Sequence, residues 1–285
     1  MSNALALVRS RRWSIRRLQN WELTTGFFVV GLLLVASLLA PYLAPYPPNQ
    51  VNVLVALQGP SWHHWMGTDF VGRDVWSRVL FGLRIDVLIV ALITYLGLVV
   101  GVIIGTVSGY VGGWFDAIVG RVADTVVAFP FIVLVLAVVA IVGPGLKGVA
   151  IGIVIVGWAL YARLARAEML SLREQPFIMS TRALGYSHLR TIFRHALPNL
   201  VRTSLVYSTV DVVVNMLVLA GMSYLGLGQQ APGADLGSII ASGQGYLLSA
   251  WWITTLPGAV LVLFGFGVSL IGDGITRGDL AQGRL

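Results

Sequence analysis

An acidic residue inside an apolar run is the most informative chemical feature of this sequence. Asp211 lies within the run 204–225, and Asn215 follows four residues later, on the same face of a helix. A charge at the centre of a membrane helix costs about 2.5–3.5 kcal/mol on insertion scales, so such residues usually have a function. Three interpretations stay open: Asp211 and Asn215 line a translocation path, Asp211 lies at an inner gate, or it is a hydrogen-bonded acid at the contact with a partner subunit.

The side chains that most often carry catalysis are absent or isolated. The chain has no cysteine, which excludes thiol nucleophiles and thiolate metal sites. Its only lysine, Lys147, has no Gly-x-x-x-x-Gly-Lys-Ser/Thr motif around it, so we predict no ATPase site in this chain. All four histidines fall in predicted loops, away from any buried nucleophile. We therefore predict no catalytic residue, no bound cofactor, and a protein that is not itself an enzyme.

Two histidines and several charged residues lie close together in the sequence before the second predicted span. His63 and His64 are adjacent, and adjacent side chains do not converge on one metal ion, so we predict a polar surface and no metal site. Asp69, Arg73 and Asp74 come next. They predict a local ion pair or helix cap that fixes the loop before the span.

The composition requires an environment other than water for much of the surface. Hydrophobic residues make up 57% of the chain and charged residues only 11%, whereas soluble domains carry about 25% charged residues. The net charge is +7, but the basic residues stand between apolar runs and are not interleaved with aromatic residues. This pattern indicates the inner loops of a membrane protein and no nucleic-acid partner.

Six apolar runs predict membrane spans, because a bilayer core about 30 Å thick needs roughly 20 apolar residues of helix. The runs are 25–43, 87–107, 125–142, 149–164, 204–225 and 254–271. The predicted fold class is therefore all-α, a polytopic membrane protein with about six transmembrane helices. With both termini inside, fifteen of the 19 Lys and Arg residues lie inside, which is the expected bias.

The spans divide the rest of the chain into loops and tails. We predict a basic inner N-terminus 1–24, a first helix 25–43, an external loop 44–86, a core 87–275 and an inner tail 276–285. The core contains a basic inner loop 166–200 and a Gly-rich external loop 226–252.

The basic inner loop predicts a hairpin of two short helices. Pro176 suits the first turn of the first helix, and Gly185 stands where a glycine with positive φ ends it. Ser187 then caps the second helix, and Pro198 is expected to end it before the next span. Such a hairpin could dock in a groove of a partner protein or lie on anionic lipid, and the residues alone do not choose between the two.

This hairpin resembles the so-called EAA loop of binding-protein-dependent ABC importers. Gly185, Leu197 and Pro198 match the family spacing, whereas 179–181 read Met-Ser-Thr in place of Glu-Ala-Ala, and His195 replaces the expected isoleucine. Four further segments resemble the C-type permeases of the dipeptide, oligopeptide and nickel subfamily, in the family order. They are 67–74 (GTDFVGRD), 109–116, 223–228 and 270–274.

The resemblance implies a type I ABC importer permease fold, of the MetI-like kind, in a bacterial or archaeal cell membrane. It implies peptide import by alternating access, with nickel chelates or glutathione as alternative cargo. From the residues alone, a proton-coupled secondary transporter remains the alternative of a different class.

The resemblance also implies partners and their contact residues. The partners would be a B-type permease, an extracytoplasmic binding protein, surrounding lipid, and two ATPase subunits that use ATP and Mg. The ATPases would meet one surface of the hairpin, formed by Met179, Ser180, Thr181, Arg182, Ala183, Leu184, Gly185, Tyr186 and Leu189. The binding protein would meet the second external loop, at Gln229, Gln230, Pro232 and Asp235.

Overall fold

The computed structural model describes residues 21–281, with side chains as far as residue 278. Within that range the chain forms helices and no strand, apart from an isolated bridge between Thr68 and Asp74, which confirms the all-α class. The α-helices, in chain order, are α1 (Trp21–Leu38), α2 (Ala40–Leu43), α3 (Val75–Val111), α4 (Gly113–Ala128), α5 (Phe131–Val142), α6 (Leu146–Leu172), α7 (Pro176–Ala183), α8 (His188–Arg190), α9 (Leu197–Tyr224), α10 (Leu236–Gly243) and α11 (Trp252–Ala281). Short 3₁₀ turns lie at Val53–Val55 and Gln244–Tyr246, and a π-helical stretch at Thr191–Ala196 joins α8 to α9.

Five of the described helices are long and apolar enough to cross a membrane by themselves. They are α1, α3, α6, the continuous helix His188–Tyr224, and α11 as far as Gly278. The pair α4 and α5 passes the same test only together, and its two halves are bent by 96°. The count is therefore five, or six if the bent pair is one span, in agreement with the prediction of about six.

The third predicted span, 125–142, is wrong as a single helix because its backbone breaks at Phe129 and Pro130. Phe129 adopts an extended conformation, with φ −88° and ψ 147°. Proline has no N–H to continue a helix, and it disfavours the helical conformation of the residue before it. The segment is therefore two helices joined by a sharp bend.

Several other predicted boundaries are also wrong, for local reasons. The predicted first helix, 25–43, ends at Leu38. The short helix α2 follows it, with Pro41 in its first turn. The external loop 44–86 ends early because Asp74 accepts a hydrogen bond from the backbone N of Ser77 (2.8 Å) and so caps α3. Of the N-terminal segment 1–24, all but the last four residues lie outside the described range.

Two other predicted segments are shortened because the flanking helices are longer than their apolar runs. The inner loop 166–200 reduces to the segment between α6 and α9, and the tail 276–285 begins inside α11. The external loop 226–252 agrees with the segment between α9 and α11, and it contains α10. Polar residues extend these helices at their ends, where hydropathy gives no signal.

The helices group into two compact units, Met1–Arg84 with Ser242–Leu285, and Ile85–Ala241. In the described part of the first unit, α1 and α11 approach closely, since a Cβ at Gly26 would lie 2.8 Å from the backbone oxygen of Gly267. Arg277 also pairs with Glu22 (Nη1–Oε1 2.5 Å). The predicted core 87–275 differs from this division because α11 packs on α1.

A stripe of glycines holds the second unit together. Gly97, Gly101, Gly105 and Gly109 recur every fourth residue on α3 and therefore share one face of the helix. A Cβ at Gly105 would lie 2.2 Å from the backbone oxygen of Ala162 on α6. Small residues at this spacing allow two membrane helices to approach until their backbones touch.

Candidate functional site

The predicted helical hairpin between α6 and α9 is present, and its turn has the expected local geometry. Pro176 begins α7, and Gly185 has a φ of +76°. The N of Tyr186 donates to the backbone oxygen of Thr181 (3.0 Å), and the N of Gly185 donates to that of Arg182 (3.0 Å), which together form a Schellman motif. The Ser187 hydroxyl accepts from the N of Arg190 (3.3 Å), so the predicted cap is confirmed.

The inner face of the hairpin is packed against the helices of its own unit. Ile178 on α7 and Ile192 and Ala196 in the π-helical stretch are buried in one cluster with Tyr110 of α3 and Met169 of α6. Burying a large apolar side chain such as Ile178, Ile192 or Met169 contributes about 1.5–3 kcal/mol. The hairpin is therefore held by an apolar core and is not a loose loop.

The side of the hairpin away from this core exposes several large apolar side chains. Leu184 is 71% exposed and Leu189 is 68% exposed. Phe177, Met179 and Phe193 are also exposed. Several large apolar side chains that are exposed on one short, basic segment favour a contact with another protein. We call these five residues the outer apolar face.

Two arginines of the hairpin lie over aromatic rings. The Arg182 guanidinium lies 4.6 Å from the centre of the Tyr110 ring, and Arg190 lies 4.2 Å from that of Tyr186. Tyr110 Oη also lies 3.1 Å from His188 Nδ1. Cation–π contacts of this type contribute about 0.5–1 kcal/mol at exposed sites.

The prediction that Pro198 ends the second helix is wrong. The chain continues from α8 through the π-helical stretch into α9, and the N of Leu197 donates to the backbone oxygen of Ile192, five residues earlier. This wider register places Pro198 in the first turn of α9, where its missing N–H is tolerated. The second helix of the hairpin and the span are therefore one continuous helix, His188–Tyr224.

Of the nine predicted coupling residues, most lie on the exposed side of the hairpin and two do not. Thr181 is buried, with its hydroxyl donating to the backbone oxygen of Ile178 (2.7 Å), and Tyr186 is half-buried beside His195. Phe177 and Phe193 belong to the outer apolar face but were missed. The spacing in the sequence could have indicated both residues. Phe177 and Leu184 are seven residues apart, and Leu189 and Phe193 are four residues apart, which are spacings typical of one helix face.

Asp211 and Asn215 lie inside the second unit and bind to its other helices. Asp211 is 8% exposed, and its Oδ2 accepts from Tyr161 Oη on α6 (2.8 Å) and from Asn215 Nδ2 (3.0 Å). Asn215 Nδ2 also donates to Thr94 Oγ1 on α3 (2.9 Å). This network connects α3, α6 and α9. Asp211 and Asn215 therefore contribute to the packing of these three helices.

The predicted residues of the second external loop have unequal access to solvent. Asp235 is buried, and it accepts hydrogen bonds from the backbone N atoms of Ser238 (2.7 Å) and Gln229 (3.2 Å) and from the Ser223 hydroxyl. Gln230 is exposed, although its Nε2 donates to Gly228 O (3.0 Å). Pro232 is exposed as well. Asp235 therefore shapes the loop that carries the other three.

The prediction that His64 lies on a polar surface is wrong. Its ring is buried, its Nδ1 lies 2.9 Å from Asp74 Oδ1, and Tyr46 stacks on it at 4.9 Å. Asp69 accepts from Arg73 Nε (2.6 Å), which confirms the predicted local ion pair. Across the described residues, no three His, Cys, Asp or Glu side chains are grouped to hold a metal ion.

The sequence matches a known family of membrane proteins over most of this helical region. Residues 97–277, which include the hairpin, match the family described as binding-protein-dependent transport system inner membrane component. The chain belongs to this family. Residues 18–60 of this transport component also match the N-terminal TM domain of oligopeptide transport permease C, in agreement with the sequence resemblance.

Related proteins and a solved structure agree with this membership. The dipeptide transport system permease protein DppC of Alkalihalophilus pseudofirmus is 36% identical over 252 residues, which cover 87% of this transport component and 83% of the relative. A chain from an inward-facing structure of the MetNI methionine ABC transporter has the same fold. The TM-score is 0.55 at 17% identity, covering 72% of this chain and 94% of that chain. The predicted permease fold is confirmed, and this transport component is a multi-pass inner membrane protein.

Proposed function

We propose that this chain is the permease subunit of an ATP-driven importer of peptides. The observation that carries the proposal is the outer apolar face of the hairpin, whose second helix continues directly into a span. The peptide cargo is supported by the 36% identity to a protein that is named a dipeptide permease.

In this proposal, energy enters from partner subunits. Two ATPase subunits bind and hydrolyse ATP with Mg, and each meets a permease hairpin, while this chain binds no cofactor. A B-type permease completes the translocation path, an extracytoplasmic binding protein delivers the peptide, and lipid covers the outer helices. The large exposed apolar side chains of α1 and α5 suit contact with lipid or with the second permease.

We propose that both termini and the hairpin face the cytoplasm, because Lys and Arg concentrate in the segments on that side. ATP binding closes the ATPase pair and pushes the segment 179–189. The permease pair then changes between outward and inward access by rigid-body rocking. Gln229, Gln230 and Pro232 are proposed contacts of the binding protein, and Asp211 and Asn215 stay proposed neighbours of the translocation path.

The test is co-purification of this chain with the candidate partner subunits, followed by reconstitution in liposomes. We expect ATP hydrolysis that rises when the binding protein is added. Leu184→Asp should reduce the amount of ATPase that co-purifies, because a charge at an apolar contact must be desolvated. Leu54→Asp is the matched control, since Leu54 is also exposed (88%) but lies outside the hairpin, in the segment between α2 and α3.

Two results would contradict the proposal. One is a chain that purifies alone and moves solute on a proton gradient, indifferent to Leu184→Asp. The other is an assembled complex in which both variants retain the ATPase equally. Uptake of a labelled dipeptide, compared with glutathione and a nickel chelate in the same liposomes, identifies the cargo class.

A further inference from the structure

An open cavity of about 590 Å³ lies among α4, α6 and α9 of the second unit. Its walls mix apolar and polar side chains, among them Val119, Leu160, Asp124, Arg163 and Tyr207. Binding sites for small molecules have volumes of roughly 300–1,000 Å³, with mostly apolar walls and a few convergent polar groups. The cavity has the size and the composition of such a site.

Asp124 and Arg163 form a loose ion pair at this cavity. Arg163 Nε lies 3.6 Å from Asp124 Oδ1, and the two side chains are 51% and 63% exposed. A second pair joins the same helices, and it is tight: Arg166 donates from Nε and Nη2 to the two oxygens of Asp116, at 2.6 Å and 2.7 Å. The tight pair connects α4 to α6. The loose pair is therefore not needed for that connection.

Arg163 lies on α6, which is long and apolar enough to span a membrane. Charged side chains on a membrane span usually face a protein interior or a water-filled cavity, and they often mark a solute path. The open cavity provides such a surface for Arg163, and Asp124 lines the same cavity from α4.

A zwitterionic solute can substitute for both members of this ion pair. Its positive group takes the place of Arg163 beside Asp124, and its negative group takes the place of Asp124 beside Arg163. Asp124 can accept from an ammonium group, and the Arg163 guanidinium can bind a carboxylate through two parallel hydrogen bonds. An exposed pair of this length contributes little to stability, so its opening costs little. No charge is left without a partner when such a solute enters.

Building on the importer function proposed above, we propose that Asp124 and Arg163 form a transient binding site for zwitterionic peptides. Asp124 binds the terminal ammonium group and Arg163 binds the terminal carboxylate. The site discriminates by charge after the binding protein has released its cargo, and the apolar walls tolerate different side chains.

The test measures binding to the solubilised complex without the binding protein, by saturation-transfer NMR. The probes are L-alanyl-L-alanine, its N-acetyl derivative and its C-terminal amide. Wild type should bind the zwitterion at least about tenfold more tightly than either derivative, because each derivative loses one charge-assisted contact. Arg121→Gln is the matched control. Arg121 is exposed on α4, the helix that carries Asp124, but it does not line the cavity.

The variants should separate the two contacts. Asp124→Asn should abolish the preference over the N-acetyl derivative and retain the preference over the amide. Arg163→Gln should do the reverse, and Arg121→Gln should behave as wild type. Arg163→Lys keeps the charge but loses the two parallel hydrogen bonds, so it should retain only part of the preference over the amide. Misfolding cannot produce this reciprocal pattern.

Unchanged preferences in the two variants would overturn the site, and so would a wild type without any preference. Failure of either variant to assemble with the second permease would overturn it too, by making the pair a contact between subunits. ATP-driven uptake by wild type in liposomes separates the two proposals. Uptake without any charge preference would contradict the proposed peptide site but not the proposed importer function. Absence of uptake would contradict the importer function itself.

Discussion

Replacement of Gly105 by alanine should force α3 and α6 apart. A Cβ at this position would lie 2.2 Å from the backbone oxygen of Ala162 and 2.9 Å from its carbonyl carbon and Cα. All three atoms belong to the backbone, so no rotation of a side chain relieves the overlap. The two helices would have to separate by roughly 1 Å to reach ordinary contact, in an interior that is otherwise close-packed.

The expected loss of stability follows from two opposing effects. Overpacking a well-packed interface costs about 1–3 kcal/mol. Alanine stabilises a helix by up to about 1 kcal/mol relative to glycine. We therefore expect the free energy of unfolding to fall by about 1–2 kcal/mol. The contacts of Gly101 and Gly109 with α6 should loosen with it, because they lie on the same face of α3.

Thermal unfolding of the purified protein in detergent measures the effect. Gly157→Ala is the matched control, because Gly157 lies on α6 and a Cβ there would meet nothing within 4 Å. The control should unfold at the wild-type temperature or slightly above it, whereas Gly105→Ala should unfold at a lower temperature. If the two variants unfold together, the close approach of α3 to α6 is refuted.

Three further changes test the second unit. Asp116→Asn weakens the bidentate contact with Arg166 and should lower the free energy of unfolding by about 2 kcal/mol, measured by thermal unfolding; equality with wild type would contradict the clamp. Asp211→Leu leaves the Tyr161 hydroxyl without its acceptor and should cost about 1–3 kcal/mol in the same assay. A loss of transport without that loss of stability would instead assign Asp211 to the solute path. Ser187→Ala removes a helix cap and should cost about 1 kcal/mol, seen as faster amide hydrogen exchange in α8; unchanged exchange would exclude the cap.

The features that the sequence predicted correctly depend on neighbouring residues. Pro176, Gly185 and Ser187 each act through the backbone within a few positions, so their types alone indicate a helix start, a left-handed turn and a cap. The apolar runs likewise predict spans because hydropathy is a property of the run itself. These signals place the hairpin between two spans without any knowledge of packing.

The features that the sequence did not predict depend on partners that are distant in the chain. The hydrogen bond from Tyr161 to Asp211 connects residues that are fifty positions apart in the sequence. Which side chains of the hairpin are buried depends on Tyr110, which lies far away on α3. Two misses did have a local signal: Pro130 inside an apolar run, and the four-residue glycine spacing on α3.

The π-helical stretch has a mechanical consequence. Because it carries the helix across Pro198 without a break, the helix from His188 to Tyr224 runs for roughly 55 Å. No loop lies between Leu189 and the span, so a displacement of Leu189 reaches the span through helical backbone. The second helix of the hairpin therefore cannot move as a separate element on a flexible connection.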